Sequence, residues 1–356
     1  MRYLIPLLTL SLLTACDNQP PDSPSTAGRT IDQYEQDQAA TQPPGVRRYG
    51  IADPLPKPPG AIRLATYNVE NLFDAIDDPA LSGDLEDIDD TKPPSEIEAL
   101  AATIRRLDAD ILCLQEIENE SVVLQLRDAY LADMGYDHVL SPDAGDPRGI
   151  DQGVLSRFPI TGHEQWIEQP LGGVHPDLFG DQPNWYAGQP ITFKRSPIRI
   201  DIEIPADVTG ADAYELSLYV VHLKSGRYND YWREAEATKL VEHIQAQREA
   251  DPTRNIAVLG DFNATADQRP VQIFLETGLI DTLASTGESG SVTHESGRHI
   301  DYILISPTLA HELVAGSPFV LGTPARPAGA DWRSPPPPGY ASDHYPVALD
   351  LVAHDE

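Results

Sequence analysis

Nine side chains spread along this sequence are of types that handle phosphate chemistry. They are the carboxylates Glu70, Glu116, Asp261, Asp301 and Asp343, the amides Asn68 and Asn263, and the imidazoles His222 and His344. A donor set of hard oxygens with almost no sulfur favours Mg2+, Mn2+ or Ca2+ over a closed zinc site. Hydrolysis of an anionic phosphodiester needs charge neutralisation, an activated water and an oriented leaving group, and these side chains can supply all three. Singly they say little: an Asp before a strand is usually a turn former.

Their settings say more, because each sits at the end of a short apolar run. Ile62 to Tyr67 leads into Asn68 and Glu70, Ile111 to Gln115 into Glu116, Leu216 to Val221 into His222, and Ile256 to Gly260 into Asp261 and Asn263. Two runs have the reverse polarity: Asp301 precedes Tyr302 to Ile305, and Asp343 with His344 precedes Pro346 to Leu351. Such runs, rich in Val, Ile, Leu and Tyr, read as buried strands. If the last two run antiparallel to the others, all six polar clusters meet at one edge of the sheet structure.

Competing hydrolase chemistries lack their signatures. There is no His-Glu-x-x-His or cysteine pair for zinc, and no Gly-x-Ser-x-Gly elbow for a serine nucleophile. A dinuclear metallophosphatase of the calcineurin type usually shows Gly-Asn-His followed by an acid; this chain has Gly260-Asp261-Phe262-Asn263.

The stretches Thr66-Tyr67-Asn68-Val69-Glu70-Asn71, Leu114-Gln115-Glu116, Val221-His222-Leu223-Lys224-Ser225, Gly260-Asp261-Phe262-Asn263, His299-Ile300-Asp301-Tyr302 and Ser342-Asp343-His344 carry a resemblance. In this order they resemble the endonuclease/exonuclease/phosphatase superfamily, which includes DNase I and the exonuclease III type of abasic-site nucleases. Residues 148–153 resemble the segment that contributes a phosphate-facing loop in that family. The resemblance spans about residue 61 to the end. It implies an α/β (α+β) chain folded as a DNase I-like two-layer β-sandwich flanked by helices. It also implies a Mg2+-dependent phosphodiesterase, with Mn2+ or Ca2+ as alternatives, acting on DNA or RNA.

By the same resemblance Glu116 is the first metal ligand, with Asn68 and Glu70 as further contacts or support and Asp343 supporting a metal or water. Glu70 stands where some members carry Asp. Asp301 and His344 match an imidazole–carboxylate pair, Asp261 matches the group that orients or deprotonates water, and Asn263 and His222 match donors to phosphate oxygens. Whether Asp261 or His344 is the base stays open. The remaining histidines, His294 among them, are assigned no role. A phosphatase, a sphingomyelinase-like diesterase and a catalytically silent binding lipoprotein are the alternatives. A sphingomyelinase should offer an exposed apolar hairpin, and none is visible in the sequence.

The net charge of -31 opposes a nucleic-acid partner held by bulk attraction, so such a partner requires a local patch. Lys194, Arg195, Arg199, Lys224, Arg227 and Arg233 are its candidates. At the N-terminus, Arg2 leads into the apolar stretch Leu4 to Leu13, too short for a comfortable span and shaped like a secretory signal. Leu13-Thr14-Ala15-Cys16 resembles a bacterial lipobox, implying a signal peptide over 1–15 and a lipid on Cys16. Asp17 resembles an inner-membrane retention signal. The expected location is the bacterial cell envelope, periplasmic or surface-exposed.

Residues 16–60, rich in Pro, Gln, Ser, Thr and Asp, read as a flexible tether. Its length allows a reach on the order of 130 Å. The catalytic domain is expected over 61–356, about 295 residues without an internal linker. Cys113, the other cysteine, reads as a small buried apolar residue.

Several further elements position the site. An acidic loop runs from Asp74 to Asp90. Ser95 and Glu98 form a capping-box pattern before Ile97, Leu100, Ala101, Ile104 and Leu107 at helical spacing. Further helices are expected over 120–132 and 230–247, a strand at 153–155 and a half-exposed strand over 198–204. Residues 165–189 read as an irregular segment, whose Trp166, Trp185 and Tyr186 could stack on bases or simply pack. Trp332 and the prolines 335–338 form a stiff loop before Asp343.

Overall fold

All six apolar runs that end in polar clusters form strands, and their directions are those the chemistry requires. The computed structural model describes residues 47–353 apart from 80, 82–87, 211, 288–289 and 332. The expected signal segment, Cys16, most of the tether, the middle of the acidic loop and Trp332 lie outside the described residues.

In chain order the strands are β1 (Ile62–Leu72), β2 (Ile111–Ile117), β3 (His138–Leu140), β4 (Asp151–Ser156), β5 (Ile160–Gln165), β6 (Pro170–Val174), β7 (Leu178–Phe179) and β8 (Gln182–Pro183). There follow β9 (Pro190–Thr192), β10 (Ile198–Ile204), β11 (Tyr214–His222), β12 (Asn255–Asp261), β13 (Ile280–Asp281), β14 (Asp301–Ile305), β15 (Phe319–Val320) and β16 (Val347–Leu351). The helices are α1 (Pro94–Leu107), α2 (Glu120–Tyr130), α3 (Ala206–Thr209), α4 (Asp230–Ala250), α5 (Arg269–Leu275) and α6 (Pro307–Ala310).

One sheet has the order β15-β16-β1-β2-β4-β3 and the other β13-β14-β12-β11-β10-β5. β1 and β2 are parallel, as are β11 and β12, while β16 runs antiparallel to β1 and β14 antiparallel to β12.

Alternation along the strands builds three apolar layers. Ile62 and Leu64, Ile111 and Cys113, Leu216 to Val220 at every second position, Ala257 and Leu259, Ile303 and Ile305, and Val347 to Leu351 at every second position pack between the sheets. Ala65, Tyr67, Leu112 and Leu114 face outward under α1 and α2. Tyr219, Val221, Ile256, Val258 and Leu304 face outward under α4 and α5. The result is the helix-flanked sandwich. In α1, Leu100, Ile104 and Leu107 are fully buried, each worth roughly 1.5–3 kcal/mol.

Three expectations need correction. The capping box does not form: α1 starts at Pro94 behind Pro93 without a side-chain cap, and a proline at the first position pre-sets the helical φ instead. Residues 165–189 are not structureless, because β6 pairs with β9 and β7 with β8 in two short ribbons. The folded body also begins before residue 61. Arg47 bridges to Pro324 and Ile51 to Leu321, and Ile51 and Leu55 pack against the cluster under α1. No helix among the described residues is long and apolar enough to cross a membrane.

Candidate active site

The inner-face parity that fills the sandwich continues past its apolar part into the polar clusters. Asn68 follows Ile62 and Leu64, His222 follows Leu218 and Val220, Asp261 follows Ala257 and Leu259, and Asp301 precedes Ile303 and Ile305. All four are buried. Glu116 breaks the rule, since alternation from Leu112 and Leu114 would aim it at the helices. A register shift between Gln115 and Ile117, with Glu116 at φ 63, turns its carboxylate to Asn68 instead. Glu70 (φ 51), Asn71 (φ 54) and Asn263 (φ 49) share this left-handed backbone at the same edge. Each such non-glycine residue costs roughly 1–2 kcal/mol, strain that characteristically collects at functional sites.

Asn68 joins the two sheets: its Nδ2 donates to Glu116 Oε1 and to Asp261 Oδ2, both at 3.1 Å. Glu116 Oε2 accepts from the Asn71 amide at 3.2 Å. Asp261 also accepts from the Asn263 amide at 2.7 Å and from Asn263 Nδ2 at 3.0 Å. His222 Nε2 lies 3.6 Å from both Glu116 Oε1 and Asp261 Oδ2, and its buried Nδ1 has no hydrogen-bond partner.

Beside this group His344 Nδ1 lies 2.9 Å from Asp301 Oδ2, and His344 Nε2 lies 3.9 Å from Asp261 Oδ2. Ser342 Oγ donates to Asn68 O and accepts from the His344 amide, tying the β16 entry to β1.

Charge is finely divided here. Burial pushes Asp261 up to about 6 against the pull of His344. Burial and the neighbouring Asp343 push Glu70 up to about 7. Burial opposes ionisation of Asp343, but the His294 hydrogen bond and the charge of His344 outweigh it and hold the carboxyl below its usual range. Burial also opposes a charge on His344, yet Asp301 raises that imidazole well above its ordinary value. His222 is held well below its own, by burial and then by Arg195.

The residues fit a divalent cation. Glu116, Asp261 and His222 offer ligand atoms within 4.8 Å of one another, and the Glu116 side chain keeps 21% exposure toward solvent. Two carboxylates from facing sheets meet at one amide, and oxygen donors suit Mg2+ or Mn2+. Asn68 and Glu116 would hold the cation, with Asp261 and His222 beside it.

The profile of the Endonuclease/Exonuclease/phosphatase family matches residues 65–344. The chain belongs to that family. Solved structures agree in fold. The human Nocturnin catalytic domain with bound sulfate is 18% identical, with a TM-score of 0.52 over 83% of this chain and 95% of that one. An endonuclease/exonuclease/phosphatase from Beutenbergia cavernae is 19% identical, with a TM-score of 0.53 over 82% and 71%. One from Bacteroides vulgatus is 17% identical, with a TM-score of 0.53 over 83% and 99%. No curated protein matches the sequence.

Two further expected residues have partners of their own. Glu70 directs its carboxylate to the Tyr340 hydroxyl at 2.6 Å and the Asp343 amide at 3.1 Å, not to Glu116. Asn263, expected to donate to phosphate, has Nδ2 engaged with Leu223 O at 3.1 Å and with Asp261 at 3.0 Å.

Residues without an expected role join the site. His294 Nε2 lies 3.1 Å from Asp343 Oδ2, and its ring packs edge-on to His344 at 4.6 Å. Tyr340 and Arg326 flank Glu70. No periodic pattern in the sequence marks His294 or Arg326.

The basic patch is split. Lys194 and Arg195 pair with Asp146, and Glu236, buried on α4, accepts from the amides of Lys194 and Lys224. Arg233 donates to the Lys224 carbonyl in the same group, while Arg199 pairs with Glu164 and Asp201 on the sheet face.

Proposed function

We propose that this chain is a divalent-cation-dependent phosphodiesterase, a nuclease acting on DNA or RNA, carried at the bacterial cell envelope by lipid on Cys16. The observation that carries the reading is the Asn68 amide bonded at 3.1 Å to a carboxylate from each sheet, Glu116 and Asp261, with the Asp301–His344 pair at their side. A bound cation supplies charge neutralisation at the phosphate oxygens. Asp261, fixed by Asn68 and Asn263, orients and deprotonates the attacking water. His344, its Nδ1 held by Asp301, presents Nε2 to the phosphate. His222 donates to a second phosphate oxygen.

The test is turnover of plasmid DNA, RNA and bis(p-nitrophenyl) phosphate with Mg2+, Mn2+ or Ca2+, against an EDTA control. Glu116→Gln should lower turnover at least about 100-fold and weaken Mn2+ binding measured by calorimetry. Absence of turnover on all three substrates would reject the nuclease reading. A phosphatase or sphingomyelinase-like enzyme would use the same pocket, and adding phosphomonoesters and sphingomyelin to the panel separates them. Anchoring is tested by fatty-acid labelling, which Cys16→Ser should abolish.

A further inference from the structure

Among the described residues, six of the twelve exposed large apolar side chains gather on or against one segment: Val174, Leu178, Phe179, Trp185, Tyr186 and Tyr228. Trp185 is 89% exposed, an extreme for the largest apolar side chain. The β7–β8 hairpin carrying Leu178 and Phe179 is therefore the exposed apolar hairpin that the sequence did not reveal. Trp166, by contrast, is buried, stacked on His243 at 4.2 Å.

The segment is fastened down. His175 Nδ1 meets the Tyr231 hydroxyl at 2.8 Å, and the His175 ring packs on Trp232 at 4.5 Å. Tyr186 packs edge-on to Trp232 at 5.8 Å, and Trp232 Nε1 donates to Thr192 O at 2.7 Å. Phe179 meets Tyr228 edge-on at 5.5 Å. Rings held this way lose little freedom on binding, which is what makes an aromatic surface effective.

A short run of chain links this surface to the active site. Tyr228 lies six residues beyond His222. The intervening chain is pinned to the pocket, since Leu223 donates its amide to Asp261 O at 2.9 Å and accepts from Asn263. Lys224 Nζ lies 5.8 Å from the Trp232 ring centre and the Arg227 guanidinium 5.7 Å from that of Tyr228. In a chain of net charge -31, these cations lie between the rings and the pocket along the chain.

A bilayer is the other surface that exposed aromatics suit. Here the turn of the hairpin is Gly180-Asp181, with Asp177 just before β7, so insertion would carry carboxylates into apolar surroundings. Bases avoid that penalty, because they bring flat apolar faces to the rings and leave the carboxylates in water.

Building on the nuclease reading, we propose that Phe179, Trp185, Tyr186 and Tyr228 form a stacking platform for the unpaired bases of a single-stranded nucleic acid, whose backbone passes Arg227 and Lys224 into the pocket of Glu116 and Asp261. The platform is tolerant of sequence, since every base has a stackable face, and it discriminates against duplexes, whose base faces are covered.

The full chain carrying Glu116→Gln is titrated with a short oligothymidylate, a duplex of the same length and phosphatidylcholine–phosphatidylglycerol vesicles, read by tryptophan fluorescence and anisotropy. The single strand should bind at least about tenfold tighter than the duplex and quench the fluorescence. Trp185→Ala and Tyr228→Ala should each weaken it about tenfold. Val352→Ser, an exposed site at the far end of β16, serves as the control. Equal binding of single strand and duplex, or single-strand affinity untouched by both substitutions, overturns the platform. Vesicle binding that Trp185→Ala abolishes assigns the hairpin to lipid and overturns it as well. Turnover of bis(p-nitrophenyl) phosphate by the unsubstituted chain judges the nuclease reading separately, because that small diester has no neighbouring bases.

Discussion

Asp301 and His344 are both buried and 2.9 Å apart, so the carboxylate governs which ring nitrogen carries the proton and how tightly. Asp301→Asn keeps the shape and removes the charge. Without that charge His344 loses the chief influence raising it, and its imidazolium is lost at a lower pH. The alkaline arm of the kcat profile on bis(p-nitrophenyl) phosphate should therefore move toward neutrality, and kcat at its optimum should fall about 100-fold or more. An alkaline arm that stays in place while kcat falls would mean that Asp301 acts only by packing. At this scale the strand-end residues were legible because a carboxylate or imidazole closing an apolar run is conspicuous. His294, Tyr340 and Arg326 were not, since they reach the site from chain outside the named strands and helices, where no periodicity says which way a side chain faces.

At the scale of elements, His222 and Asp261 are register partners on β11 and β12, and the pairing depends on Gly260. That glycine has φ +134, and a Cβ there would lie 2.0 Å from Val221 O, a backbone atom that cannot step aside without breaking the ladder. Gly260→Ala should cost about 3 kcal/mol or more through strain and displaced pairing. That corresponds to a melting temperature about 5 °C lower or more by calorimetry, with turnover reduced in the fraction still folded. A variant melting like the parent would show that β11 and β12 tolerate a wider separation. Parity made most of this sandwich legible, because strands covered on both faces are long apolar runs. It failed at Glu116, where a bulge reverses the side chain, and over 165–189, where the longest strand is β6, with five residues interrupted by Gly172 and Gly173.

On the scale of the whole molecule, the stretch from Arg47 to Gly60 reads as linker, with prolines at 54, 56, 58 and 59, yet it is strapped to the folded body. Proline-rich chain can dock without forming any periodic element, so composition alone hides it. Lys57 pairs with Asp110 at 2.8 Å, Leu55 O accepts from Arg63 Nη2 at 2.6 Å, and Ile51 and Leu55 cover the α1 cluster. Arg48 donates to the carbonyls of Glu295 and Arg326, whose side chains pair with each other and, through Arg326, approach Glu70. A chain starting at Arg47 should therefore melt and turn over like the full one. A chain starting at Ala61 loses the apolar cover that Ile51 and Leu55 give the α1 cluster, worth roughly 2 kcal/mol together at partial burial, and should melt about 3 °C lower. Because the loss is mainly apolar, raising the ionic strength should leave that difference nearly unchanged. Equal melting of the two chains would show that the strap rests on the surface without stabilising it, and a difference that salt erases would assign the effect to Lys57 and Arg48 instead.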